Sequence, residues 1–361
     1  MFCFKKFKPR TGDKTQSMKN LLPILLLFVI ACQSKKITNS KATNIKIAFG
    51  SCADQSKEMP LLGVATELSP DAFVFLGDNI YGDTEDMELF QKKYNELAAN
   101  TEFQALRQAT KIYAVWDDHD YGANDAGKYY PKKEESKSIF MDFWNVPKDN
   151  ERRQHDGIYG VEYLKKDDLT IQIILLDTRT FRDDLIIRLE GDENHKNDYV
   201  PNQNPDSTFL GNTQWQWLEQ IFKEKADVRI IASSNQFSHE YNGWESWTNV
   251  PHEQQKMLNL IKETKANGVV FISGDVHWGE ISKFENRTTY PIYDVTSSGI
   301  TQTWYNTESN ENRIGDVIPQ NNIGLIDIKK EGKIINLDLS IYDNTRKAVV
   351  RHSIGIKEIS F

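Results

Sequence analysis

Residues 112–125 read IYAVWDDHDYGAND: five apolar or aromatic residues, long enough for a buried strand, followed at once by three carboxylates and a histidine in four positions. The device recurs along the chain as FGSCADQ (49–55), FLGDNIYGD (75–83), LLDTRTFRDD (175–184), ASSNQFSHE (232–240) and ISGDVHWGE (272–280). Short apolar runs at 45–50, 72–76, 112–116, 171–176, 229–232 and 269–273 thus predict six buried strands, each ending in polar residues. Stretches with helical periodicity at 87–106, 134–144, 213–225 and 252–266 lie between them, so the pattern is layered α/β. A long irregular insert, 182–210, interrupts the alternation, and from Tyr290 onward the pattern is strands and turns, with antiparallel strands expected at 324–328, 334–342 and 348–354. Loops beyond the carboxyl ends of strands in open α/β sheets converge on one crevice, so these distant polar groups are expected to meet there.

The rest of the composition is ordinary for a globular protein: 361 residues, 39% apolar, 27% charged, with 20 Gly, 11 Pro and 3 Cys. Three cysteines build no disulfide framework, and no apolar run approaches the ~20 residues of a membrane span. The one strongly apolar stretch, 21–31, follows Met18 and Lys19 and ends in Val29, Ile30, Ala31 and Cys32, which resembles a bacterial lipoprotein signal. The expected organisation is therefore a signal peptide over 1–31, a polar tether over 32–43 and one domain over 44–361. Lipid on Cys32 would anchor the chain to the cell envelope, periplasmic or at the cell surface. A plain secretory signal with a chance cysteine is the competing reading, and Met1 and Met18 are both candidate starts. Loss of 1–31 would deepen the formal charge from −8 to −13, which disfavours nucleic-acid binding. It would also leave Cys52 without a disulfide partner.

Collected at the strand ends are Cys52, Asp78, Tyr81, Asp117, Asp118, His119, Asp120, Asp177, Arg179, Asn235, Asp275 and His277. So many carboxylates with so few cations would protonate or destabilise the fold, whereas two bound metal ions satisfy them. A metal pair about 3.5–4 Å apart clamps a phosphoryl oxygen and lowers the pKa of bound water toward ~7, which points to phosphoester hydrolysis.

GDNIYGD (77–83), WDDHDYGANDAG (116–127), LLDTR (175–179), LGNTQWQWL (210–218), SSNQ (233–236), SGDVHWGE (273–280) and YPIYDVTSSG (290–299), in this order, resemble the alkaline phosphatase D-like branch of the calcineurin-like metallophosphoesterases. The resemblance implies a four-layer αββα sandwich of two mixed sheets. It also implies that Asp78 bridges the metals, that Cys52, Tyr81 and His277 hold the first, and that Asp118 and Asp275, with Asn235 as a further donor, hold the second. Cys52 stands where the wider superfamily has a histidine of an Asp-any-His motif, and Asp275 also replaces a histidine. Thiolate and phenolate suit ferric iron and an oxygen-rich shell suits calcium, with magnesium, manganese and zinc as alternatives. By the same resemblance His119 serves the leaving oxygen, Asp120 orients its ring, and Arg179 forks onto phosphate.

Plainer readings stand beside these. Cys52 alone reads as a small buried hydrophobe, Tyr81 as a half-buried aromatic, Asp177 with Arg179 as a structural ion pair, and Asn235 as a turn cap. His155, His195, His239 and His252 carry no motif and read as surface residues. Tyr241, Trp244 and Trp247 form either an aromatic wall for substrate or a cover on the sheet edge. The expected function is a monomeric phosphomonoesterase or phosphodiesterase outside the cytoplasm; the alternative is an inactive lipoprotein that binds a polymer or nutrient on the same fold.

Overall fold

The structure, a computed structural model, describes residues 42–361. The signal-peptide reading and nearly all of the tether reading lie outside these residues. The strands are β1 (Thr43–Gly50), β2 (Ala72–Leu76), β3 (Lys111–Val115), β4 (Gly160–Lys166), β5 (Leu169–Leu175), β6 (Ile186–Ile187), β7 (Tyr199–Val200) and β8 (Val228–Ala232). They continue as β9 (Val269–Ser273), β10 (Gly279–Phe284), β11 (Ile292–Ser297), β12 (Arg313–Ile318), β13 (Asn322–Glu331), β14 (Ile334–Asp343) and β15 (Ala348–Gly355). The helices are α1 (Pro60–Glu67), α2 (Met87–Ala99), α3 (Thr101–Ala109), α4 (Asp118–Tyr121), α5 (Lys133–Phe143), α6 (Gly211–Lys223) and α7 (Pro251–Thr264).

Two large mixed sheets carry the fold, in strand orders β15-β14-β13-β1-β2-β3 and β12-β10-β11-β9-β8-β5-β4. In the first, β1, β2 and β3 are parallel; in the second, β5, β8, β9 and β11 are. Every residue of β2 (AFVFL) and β9 (VVFIS) is buried, the signature of strands covered on both faces. By contrast β14 alternates, burying Ile335, Leu337 and Leu339 and turning Ile334 and Asn336 outward. It is paired antiparallel on both sides, as the pattern after Tyr290 predicts. The inner faces meet where β1 and β13 lie against β11 and β10, and α6 covers the second sheet through Gln172 Nε2, which donates to Ile221 O at 3.0 Å.

Two sequence expectations are corrected. The helix read over 87–106 is two helices, because Asn100 leaves helical geometry (φ −66°, ψ 129°) and its side chain caps α3 by accepting from Phe103 N at 3.0 Å. The insert 182–210 is not wholly irregular: Ile186↔Val200 and Ile187↔Tyr199 pair as a small hairpin. No helix among the described residues is long and apolar enough to cross a membrane.

Of the seven parallel strands, β1, β2, β3, β5, β8 and β9 carry the polar ends read from the sequence, and β1 meets β11 where the two sheets join. Ser51 N donates to Ser297 O at 3.1 Å, and Ile300 N donates back to Ser51 O at 3.0 Å, so β1 of one sheet is laced to β11 of the other. Gly77 makes this convergence possible between β2 and β3. At φ +100° it takes a conformation L side chains avoid, and a Cβ there would collide with the side chain of Asp117 and lie 2.7 Å from its backbone nitrogen.

Candidate metal centre

At the ends of β1, β2 and β9, Cys52, Asp78 and His277 bring one ligand atom each to within 4.8 Å of one another. Cys52 Sγ lies 3.5 Å from Asp78 Oδ2 and 3.1 Å from Ser298 Oγ. Tyr81 joins the group through its hydroxyl, 3.3 Å from His277 Nε2. A second group, Asp117, Asp118 and Asp275, gathers from the ends of β3 and β9, and a third joins Asp78 and Asp118 to His119. Asp78, Asp118, His119, Asp275 and His277 are among the residues lining a cavity of about 220 Å³, and Cys52 and Asp117 share a group with them.

Backbone strain is concentrated here. Cys52 (φ 59°), Asp78 (φ 48°), Asp275 (φ 73°) and His277 (φ 61°) all sit in the left-handed region that non-glycine residues seldom adopt. Such positions persist only where the surroundings hold them, and they cluster at functional sites. The holding bonds are visible: Asp78 N donates to Asp120 Oδ1 at 3.0 Å, and His277 N to Ser298 Oγ at 2.7 Å.

The electrostatics are those of a cluster that calls for a cation. Burial, then the charges of Cys52 and Asp118, pushes the Asp78 carboxyl well above the usual carboxylate range, and burial does the same to Asp275. Burial drives the Cys52 thiol up to about 12 against the hydrogen bonds of Ser298 and Ser51, and lowers His277 to about 4. Asp118 is the exception: burial would raise it, but the Arg179 and His119 charges hold it down to about 2. Asp78 Oδ1, Asp117 Oδ2, Asp118 Oδ1 and both amide atoms of Asn235 are buried yet make no hydrogen bond among the described residues. Orphaned buried acceptors are costly, and a thiol, a phenol, an imidazole and several carboxylates are the donor set of a metal centre. The residues present fit bound metal.

Around the ligand atoms the structure corrects two roles. Asp120 does not orient the ring of His119; it accepts from the backbone nitrogens of Asp117 (2.7 Å) and Asp78 (3.0 Å) and from Asn79 Nδ2 (2.5 Å), so it fastens the β2 and β3 loops together. The ring is held by Asp83, whose two oxygens lie 2.7 and 2.8 Å from His119 Nδ1. Burial opposes charging of His119, but the Asp83 hydrogen bond and the Asp118 charge outweigh it and raise it to about 9.

Arg179 does not face the cavity as a phosphate fork. Its side chain is 0% exposed, with Nε 2.5 Å from Asp117 Oδ1 and two nitrogens at 2.9 and 2.5 Å from the oxygens of Glu245. A guanidinium already forked onto carboxylates has no edge left for an anion. Nor does it pair with Asp177, which instead accepts from the backbone of Ile158, Arg179 and Thr180 and from Trp116 Nε1.

The remaining aromatic and histidine readings divide. Trp244 lines the cavity, Trp247 is core with Nε1 on Ser233 Oγ, and Tyr241 pins the insert through Tyr199 O at 2.6 Å. His239, read as a surface residue, is buried with Nε2 3.4 Å from Glu280 Oε1. Asp83, Glu245 and Ser298 are the site residues missed by sequence reasoning, although Asp83 and Ser298 stand inside motifs already singled out.

Two mixed sheets with an acid-, thiol- and imidazole-bearing cavity at the carboxyl ends of their parallel strands define a metallophosphoesterase fold. Over the described chain it is similar to a solved structure of PhoD (TM-score 0.66, 17% identity, covering 88% of this chain and 70% of that one). It is also similar to a dimetal phosphatase from Danio rerio (TM-score 0.51, 13% identity, 86% and 99%) and to GAP50 of Plasmodium, described as an anchor in the inner membrane complex (TM-score 0.52, 12% identity, 87% and 89%). Residues 167–338 match the model of the PhoD-like phosphatase family. Alkaline phosphatase D of Bacillus subtilis is 24% identical over 234 residues, 58% of this chain, which spans about two fifths (39%) of that protein's length.

Proposed function

We propose that the protein is a metal-dependent phosphoester hydrolase acting through a two-metal site, attached to the cell envelope by lipid on Cys32. Fold alone carries no activity, as the description of GAP50 as an anchor illustrates. The observation that carries the reading is the set of buried, unbonded oxygens on Asp78, Asp117 and Asp118 beside Cys52, Tyr81, Asp275 and His277. Cys52, Tyr81 and His277 would hold one ion, Asp118 and Asp275 with Asn235 the other, and Asp78 would serve both; iron and calcium suit these donors, with magnesium, manganese or zinc as alternatives. When bound, such a pair supplies stabilisation of phosphoryl oxygens and a water acidic enough to attack near neutral pH.

The chain's own residues do the rest. His119 lines the cavity with Nδ1 held by Asp83, which leaves Nε2 to give a proton to a departing alkoxide. Arg179 holds Asp117 in place, although burial still pushes that carboxyl up to about 8, and from 3.8 Å its charge helps keep Asp118 ionised. Strained backbone at Cys52, Asp78, Asp275 and His277 fixes four ligand candidates before any ligand arrives.

The test is turnover of a chromogenic phosphodiester and phosphomonoester by wild type and Asp78→Ala, with and without chelator. Hydrolysis that chelator and the substitution both abolish supports the proposal. Folded, metal-loaded wild type without turnover would favour the inactive binding lipoprotein.

A further inference from the structure

Past the ligand cluster, the cavity carries features that metal binding does not use. Its lining includes Trp244, Trp304, Tyr199 and Asp198, and neither lysine nor arginine. Arg179 and Arg182 are spent on Glu245 behind the wall. Lys57, whose charge reaches His277, is paired with Asp54 at 3.5 Å and with Gln302 and does not line the cavity. A site for phosphoesters of ordinary anionic or neutral alcohols gains from basic residues at its mouth, and this mouth has acidic and aromatic ones.

Trp304 is fixed at a definite place. Its backbone nitrogen donates to His277 O at 3.0 Å, and its ring centroid lies 6.3 Å from that of His277, one ring's reach beyond the ligand candidate. The Trp244 ring meets it with centroids 5.3 Å apart and planes tilted by 52°. Trp304 remains 39% exposed although it lines the cavity, so an indole face is open to a ligand. On the same lining, exposed Asp198 is tied to the chain beside Trp244 by its backbone nitrogen, which donates to Gly243 O at 3.1 Å, and next to it stands Tyr199, whose hydroxyl is tied to Asp125. Indole faces attract cations through the ring quadrupole, most strongly when the cation is partly desolvated, and a carboxylate facing them adds to the field.

We propose that Trp244, Trp304 and Asp198 form a subsite for an alkylammonium group, so that the preferred substrate is a monoanionic phosphodiester carrying a cationic alcohol of the choline type. This rests on the phosphoester hydrolase reading and gives it a substrate class. A diester with one cationic substituent presents no net negative charge to the acidic mouth, whereas a dianionic monoester or a polyphosphate meets Asp198 and Asp125 unshielded.

The experiment compares two chromogenic diesters on the metal-loaded protein: 4-nitrophenyl phosphorylcholine and its uncharged isostere, the 4-nitrophenyl 3,3-dimethylbutyl diester. The same shape without the charge isolates the cation contribution. Wild type is expected to favour the choline diester by about tenfold in kcat/KM, Trp304→Leu and Asp198→Asn to bring the ratio to within about twofold of one, and Trp304→Phe to fall between. A wild-type ratio near one, with both diesters hydrolysed, overturns the subsite and leaves the hydrolase standing. If neither diester is hydrolysed, the hydrolase reading stands or falls with the chromogenic phosphomonoester, and choline titrated against tryptophan fluorescence decides the subsite by itself. Saturable quenching in wild type that Trp304→Leu removes supports it, and no quenching overturns it.

Discussion

His119 Nδ1 lies 2.7 Å from Asp83 Oδ1, a contact made across 36 residues by the left-handed backbone of Asp83 (φ 43°). It leaves Nε2 as the nitrogen available to a substrate and fixes the ring before substrate arrives. His119→Ala is therefore expected to lower kcat by about two orders of magnitude or more while sparing metal content, the scale of a proton-transfer group. Asp83→Asn is expected to lower kcat by about 10- to 100-fold with KM little changed, as losses of an orienting partner do. Steady-state kinetics with metal analysis checks both; unchanged kcat in Asp83→Asn would sink the orienting role.

The guanidinium of Arg179, buried between Asp117 and Glu245, is a charge that cannot be removed without leaving Asp117 without its cation and Glu245 with Arg182 alone. Breaking one side of a buried pair costs about 3–5 kcal/mol, so Arg179→Met is expected to lose that much in urea unfolding. A phosphate-binding arginine would behave differently, raising KM and leaving stability alone.

The strand-then-acid pattern made the site legible, because the ligand candidates stand a few residues behind buried runs such as AFVFL or VVFIS, and strand order brings those ends together. What stayed hidden was which polar group faces which. Asp83 is separated from His119 by two helices, and Glu245 from Arg179 by 66 residues, and no periodicity reports contacts of that kind. Asp120 misled because adjacency in sequence suggested contact with His119, whereas on the short α4 its carboxylate turns back to cap the helix and hold Asp78 N. The split at Asn100 was equally invisible to hydrophobic periodicity, since α2 and α3 both bury an apolar face and only a cap separates them.

Glu280 gives a pH dependence whose sign is fixed by its neighbours. It is fully buried; burial would raise its pKa, but His239 and Arg313, with hydrogen bonds from Trp278 and Arg313, outweigh burial and hold it below its ordinary 4.5. A folded pKa below the unfolded one contributes stability above about 4.5 that is lost as pH falls through the folded value. Glu280→Gln is expected to be less stable by about 3 kcal/mol at neutral pH. The difference from wild type should shrink on acidification below about 4.5 in chelator-treated protein. A gap between the two proteins that stays constant from neutral pH to 3 would contradict it.

Cys52 supplies the last prediction, because its environment tolerates a thiolate only beside a cation. Burial holds the thiol near 12, and Ser298 and Ser51 offset that only in part. A serine hydroxyl at the same place is far harder to deprotonate and is a poor partner for a soft or trivalent ion, while the carboxylates of Asp118 and Asp275 that would hold the second ion stand in a different group, with Asp117. Cys52→Ser is therefore expected to strip iron several-fold while calcium stays within about twofold of wild type, measured by elemental analysis of protein from its native host. Equal loss of both ions would mean that the thiol supports the whole cluster through Asp78, 3.5 Å away, rather than one position within it.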